Sequence, residues 1–169
     1  MDRPERLAML LKLLEETEEA VSGSELAGIF SVSRQAIVQD IACLRKGGSP
    51  IAATPRGYLL QRGQERPRRI FAVHHGTGHI TEELGSIVEA GGHILDVIVD
   101  HPIYGEIRGN LHIRTRDDVT KFVNLLKSTG QNPLLTLSKG FHLHTVETDE
   151  PETLDTIEKM LDEKGFLVS

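Results

Sequence analysis

From Arg3 to Leu60 the chain carries a close succession of helix starts and stops that leaves little freedom in how this segment can fold. Leu7, Leu10, Leu11 and Leu14 recur at helical spacing and predict one amphipathic helix over about Arg3 to Thr17. Ser22-Gly23-Ser24 offers N-caps for a short helix from about Ser24 to Phe30, with Leu26, Ala27 and Phe30 turned inward. A tight turn, Ser31-Val32-Ser33, leads into a third helix from Ser33 to about Arg45, whose Ile37, Ile41 and Leu44 form its apolar stripe. Gly47 and Gly48 end that helix. Ile51 to Thr54, the turn Pro55-Arg56-Gly57 and Tyr58 to Leu60 then read as a short two-stranded hairpin.

Three helices at this spacing followed by a hairpin make a winged helix-turn-helix, in which the third helix enters the DNA major groove by its N-terminal end. With Ile37, Ile41 and Leu44 inward, Arg34, Gln35, Val38 and Gln39 face outward beside Ser33 at the N-cap. Arg34 suits the paired acceptors of guanine, and Gln35 or Gln39 suits adenine. Arg45, Lys46 and Arg56 have the reach and charge for phosphates. So few phosphate contacts imply modest affinity per chain, and two copies on a two-fold operator are expected.

The net charge of −6 argues against nucleic acid only if it is spread evenly, and it is not. Residues 1–66 hold nine basic and nine acidic side chains, whereas 67–169 hold ten and sixteen. The polar segment Gly63 to Arg69 separates two patterned regions, so we expect a DNA-binding domain over 1–62, a linker over 63–69 and a second domain over 70–169. No run approaches the roughly 20 apolar residues of a membrane span, and the N-terminus lacks the apolar core of a signal peptide, so a cytoplasmic protein is expected. Cys43 is the sole cysteine, which leaves histidine and carboxylate to hold any metal.

The second domain is expected to be a two-layer α+β fold, with helices covering one face of a mainly antiparallel sheet. Its elements are a strand from Arg68 to His75, a helix from about His79 to Ala90, a strand from Ile94 to Val99, and a strand-like run from Leu111 to Arg114. After them come a helix capped by Asp117, the run Leu134 to Leu137, a strand from Phe141 to Val146, a helix from Pro151 to Lys164 and a short strand from Phe166 to Val168. On a strand, His142 and His144 share one face, where two imidazoles can share a metal ion. His75 ends an earlier strand and Glu83 lies about one turn into the next helix, so both can approach the same point. His74 should face the other way, and His79 pairs with Glu83 across one helical turn as either a ligand or a supporting donor. His93 and His112 read as surface residues.

GSELAGIFSVSRQAIVQDIACLRKGG followed by IAATPRGYLL resembles the helix-turn-helix of biotin-repressor-type regulators. His75 and Glu83, then DVIVDHPIYGEIRG from Asp96 to Gly109, then LLTLSKGFHLHTVE from Leu134 to Glu147, resemble the 3H domain. Joined in this order, the two halves are similar to the niacin-responsive transcriptional repressors. That resemblance implies a divalent transition metal (nickel, zinc or iron) on His75, Glu83, His142 and His144. It further implies control of niacin uptake or salvage genes, with nicotinate or nicotinamide as co-repressor of a homodimer on operator DNA.

Nicotinate carries a pyridine nitrogen able to take an open metal position and a carboxylate that needs a cation. Arg108 is the candidate for the carboxylate, with Tyr104 or His101 lining the pocket. Two other readings compete. A metal-responsive repressor would need no organic effector, and a metal-assisted hydrolase would use Glu83 as a base. No second carboxylate or nucleophile accompanies the histidines in a recognisable order, which disfavours an enzyme.

Overall fold

The structure, a computed structural model, describes residues 1–63 and 66–168. Gln64 and Glu65 of the expected linker, and Ser169 of the second domain, lie outside the described residues. The chain divides into two compact units, Met1–Gln64 and Glu65–Ser169. Among the described residues, no helix is long and apolar enough to cross a membrane.

The first unit contains α1 (Arg3–Glu16), α2 (Gly23–Phe30), α3 (Arg34–Lys46), β1 (Ile51–Thr54) and β2 (Gly57–Leu60). Side chains begin each helix: Asp2 forms a reciprocal capping box with Glu5, Ser22 accepts from the Glu25 amide, and Ser33 accepts from the Ala36 amide. Leu10, Leu14, Leu26, Phe30, Ile37, Ile41 and Ile51 close one small core. β1 and β2 pair antiparallel from Ile51↔Leu60 to Thr54↔Gly57. A bridge between Val21 and Tyr58 ties this hairpin back to the start of α2.

In the second unit β3 (Arg68–His74), β4 (His93–His101), β5 (Gly105–Ile113) and β6 (Phe141–Glu147) form one sheet in the order β3-β6-β4-β5, antiparallel throughout. The connections are α4 (Ile80–Glu89), α5 (Arg116–Thr129), α6 (Pro151–Glu163) and two 3-10 turns, Thr77–His79 and Leu134–Ser138. Phe71, Val73, Ile94, Leu111, Ile113 and Val146 of the sheet pack on Leu84 and Ile87 of α4, Val119 of α5, and Leu154, Ile157 and Leu161 of α6. Burial of these side chains on one face of the sheet is the main force holding the helices there.

Several local expectations change. The linker ends before Arg68, because Arg68 and Arg69 already pair with Glu147 and Val146 in β3. β5 begins at Gly105, six residues before the apolar run at Leu111, because Glu106, Arg108 and Asn110 alternate on an exposed face that carries no apolar signal. Thr115, not Asp117, caps α5 through a box with Asp118. The run Leu134–Ser138 coils into a 3-10 turn after Pro133. Phe166 to Val168 contributes only an isolated bridge, Val73↔Leu167.

Candidate metal centre and DNA-reading face

Period two along β6 turns His142, His144 and Val146 toward the helices, and the first helical turn of α4 turns Glu83 toward them. The four side chains His75, Glu83, His142 and His144 are each at most 4% exposed. His75 lies just past β3, where its amide donates to the Gly140 carbonyl. That carbonyl also accepts from His142 Nδ1 at 2.8 Å, so one peptide positions two imidazoles. Gly140 has φ +94°, and a Cβ there would stand 2.6 Å from the His75 carbonyl oxygen, so neither its backbone nor its surroundings admit a side chain.

Each of the three rings spends Nδ1 on the backbone: His75 on the Gly76 carbonyl, His142 on Gly140 and His144 on the Asp96 carbonyl, at 2.7–2.8 Å. A carbonyl only accepts, so Nδ1 carries the proton and Nε2 of a neutral ring presents a lone pair. All three Nε2 atoms point at the Glu83 carboxylate. His144 lies 2.8 Å from Oε1, His142 lies 3.3 Å from Oε2, and His75 is also against Oε2. Yet His75 Nε2 and Glu83 Oε1 have no hydrogen-bond partner among the described residues. Lone pairs aimed at lone pairs in a buried site repel unless a cation or protons lie between them. Ligand atoms of His75, Glu83 and His142 all fall within 4.8 Å of one another, and two imidazole nitrogens with a carboxylate oxygen suit a divalent transition ion. His144 stands outside that tightest trio but touches the same carboxylate.

Without an ion, protons take its place. Burial alone would raise the Glu83 carboxyl, but the charge of His144 and the hydrogen bond from His142 hold it far below the usual carboxylate range. Burial opposes charge on His144 as well, and the facing Glu83 outweighs it, so that imidazole is raised. His75 is lowered, chiefly by burial.

The other histidines divide. His79 is 58% exposed, sits 3.4 Å from Glu82 and is outside the cluster. His74 meets the Lys139 carbonyl at 3.0 Å. His93 and His112 are not free surface residues: their rings stand 5.5 Å apart, and burial lowers His93 to about 3. His93 pairs with Glu147 of β6, and His112 has φ +49° where β4 and β5 shift register, neither of which alternation along the sequence could reveal.

Beside the cluster lies a small pocket that is partly open to solvent. Glu83, His142 and His144 form its polar end, and Ile80, Leu84, Val97, Leu111, Phe122 and the segment Pro133–Leu135 form its apolar walls. The expected effector contacts His101, Tyr104 and Arg108 are not among its lining. Val97 and Gly109 face each other on the cavity side, so the neighbouring pair Ile98 and Arg108 stands on the opposite face, where Arg108 binds Asp96 at 3.1 Å. Tyr104 is 77% exposed at the hairpin tip, and His101 Nδ1 accepts from the Ile103 and Tyr104 amides.

In the first unit, Arg34, Gln35 and Gln39 are exposed on α3, with Ser33 at its cap and Lys46 in its last turn. Arg45 instead donates to the Ile51 carbonyl at 2.8 Å and fastens the hairpin to the helix, while Arg56 lies 3.6 Å from Glu19. The sequence reading missed Asp40, which is buried at 1% exposure on α3 and bound by Arg3 and Arg6 of α1. The available signal was an aspartate one turn after Ile37, within the apolar stripe.

Comparison with known proteins agrees with both halves. Residues 6–59 match the helix-turn-helix domain and residues 68–169 match the 3H domain. The chain is 51% identical over 166 residues to the probable transcription repressor NiaR of Thermotoga maritima, covering 98% of this chain and 95% of that protein. It is 36% identical over 167 residues to the transcription repressor NadR of Bacillus subtilis, covering 96% and 93%. A helix-turn-helix domain followed by a 3H domain with its buried histidine cluster, together with these two relatives, places this chain in the 3H-domain family of transcription repressors.

Proposed function

We propose that the protein is a cytoplasmic, homodimeric repressor of niacin uptake or salvage genes whose second unit holds a divalent transition metal and, through it, senses nicotinate or nicotinamide. The observation that carries this reading is the convergence of three imidazole Nε2 atoms on the buried Glu83 carboxylate, with every Nδ1 already committed to a backbone carbonyl. His75, Glu83, His142 and His144 would hold the ion. Bound there, the ion supplies a Lewis-acid position able to take a pyridine nitrogen.

The protein's own residues do the rest. The backbone carbonyls of Gly76, Gly140 and Asp96 orient the rings, as outer partners of metal-bound histidines commonly do. The apolar walls from Val97, Leu111, Phe122 and Leu134 suit the face of one aromatic ring. This adjoining apolar cavity favours an organic effector over a metal signal alone. Ser33, Arg34, Gln35 and Gln39 would read operator bases. An effector that binds the DNA-competent state better by about 1 to 3 kcal/mol would raise operator affinity about 5- to 150-fold.

Gel-shift titration with nicotinate decides the matter. A variant carrying both His142→Ala and His144→Ala is expected to keep effector-free DNA binding and lose the response. Full response in that variant would overturn the metal-pocket reading. Operator binding that needs metal but ignores both niacin forms would favour the metal-responsive repressor.

A further inference from the structure

The cations first set against DNA phosphates are partly committed elsewhere, with Arg45 on the Ile51 carbonyl and Arg56 beside Glu19. Another cation stands by the reading helix. Asp40 receives two arginines from α1, and the two are not equivalent. Arg6 is 14% exposed and engages both carboxylate oxygens, Nε to Oδ2 at 2.6 Å and Nη2 to Oδ1 at 3.2 Å. That fork by itself balances the charge on Asp40. Arg3 adds a second guanidinium, with Nε 3.0 Å from Oδ1 and Nη2 3.5 Å from the Gln39 carbonyl, yet its side chain remains 52% exposed.

One carboxylate and two guanidinium groups leave one positive charge, and the exposed arginine carries it. It is pinned against the backbone of Gln39, whose own side chain lies on the exposed face of α3. When a helix enters the major groove, phosphates flank it on either side. A guanidinium already held in place loses less side-chain freedom on meeting a phosphate oxygen than a freely swinging one.

We propose that Arg3 is a phosphate contact of the DNA complex, positioned by Asp40, while Arg6 is the structural partner of the same carboxylate. The proposal rests on DNA binding through α3, and its test separates the two. Affinities of the full chain for two unrelated mixed-sequence duplexes are measured by fluorescence anisotropy over a range of salt, with thermal midpoints recorded in parallel. Arg3→Gln is expected to weaken both duplexes alike and to make the slope of log K against log salt shallower by about 0.9 for each chain bound. Arg3→Lys should restore the slope, because the charge returns. Arg6→Gln should lower the thermal midpoint more than Arg3→Gln does. An unchanged slope in Arg3→Gln overturns the proposal, as does a weakening confined to one duplex, which would mean base reading. A parent protein that binds neither duplex even at low salt overturns this proposal, because a phosphate contact acts on any sequence, and leaves base reading by α3 untouched.

Discussion

Asp40 and Glu83 are both carboxylates at 1% exposure on helices, and they are neutralised by opposite means. Asp40 meets Arg3 and Arg6, whose charge is permanent at any ordinary pH. Burial by itself would raise its carboxyl, but hydrogen bonds and charge from the two arginines hold it below the usual value. Glu83 meets three imidazoles, which can be protonated, neutral or bound to metal. The first arrangement is closed and serves to fix α3 against α1. The second is equally buried, but its counter-charge can be exchanged between a proton and a metal ion. A buried carboxylate faced by guanidinium groups thus has a fixed counter-charge, whereas one faced by imidazoles has a counter-charge that can be exchanged.

Replacing each carboxylate tests that contrast most directly. Glu83→Gln removes the one anionic ligand, so metal affinity measured by competition with a chelator is expected to fall by more than about 100-fold, the upper range for loss of an outer-shell partner. An affinity within about threefold of the parent would show that the imidazoles alone hold the ion. Asp40→Ala leaves Arg6 facing an apolar gap, and the expected loss of stability is about 2 to 3 kcal/mol. That figure is below the cost for a fully buried pair because Arg3 stands half in solvent. Denaturant unfolding should show the Asp40→Ala loss equally with metal and without it, whereas the loss in Glu83→Gln should differ between the two states and, without metal, should shrink as pH rises through the His144 value.

The smallest expected effect is on pH dependence, and its sign separates the two sites. Asp40 is lowered, so its contribution is present above about pH 4 and is lost only as pH falls through its still lower folded value. The first unit should therefore be indifferent to pH near neutrality. His144 is raised above 6.5, so the stability it adds to the metal-free chain is complete below that value and is lost as pH rises through the folded one. Metal must displace this proton, so metal affinity should climb from about pH 6 upward and level off beyond the raised His144 value. Affinity that is flat across that window would rule out competition between proton and metal at His144.

Much of the first unit was legible because its signals are local. Ser22 and Ser33 cap their helices through bonds three residues ahead, and a hairpin turn needs only its own few residues. The pairing of His142 with His144 was legible for the same reason, since alternation on a strand is a local rule. Asp40 was not, because its partners lie more than thirty residues away. The start of β5 was hidden by a polar, exposed face that offers no apolar alternation. Arg108 was set against an effector by its charge and its place in the HPIYGEIRG segment, while the pairing of β4 with β5 assigns it to the other face of the sheet, on Asp96.

The sequence by itself determined two units, a helix-turn-helix with the outward residues of its third helix, and two histidines on one face of a strand, because caps, stripes and strand alternation operate over a few residues. Only the tertiary structure decided which histidines meet, which nitrogen each presents, where the apolar cavity opens and which arginines are already engaged. Those choices depend on strand order and register across the fold. Gly140 illustrates the difference: it is one small residue in a turn, yet its carbonyl sets two imidazoles against a glutamate almost sixty residues away.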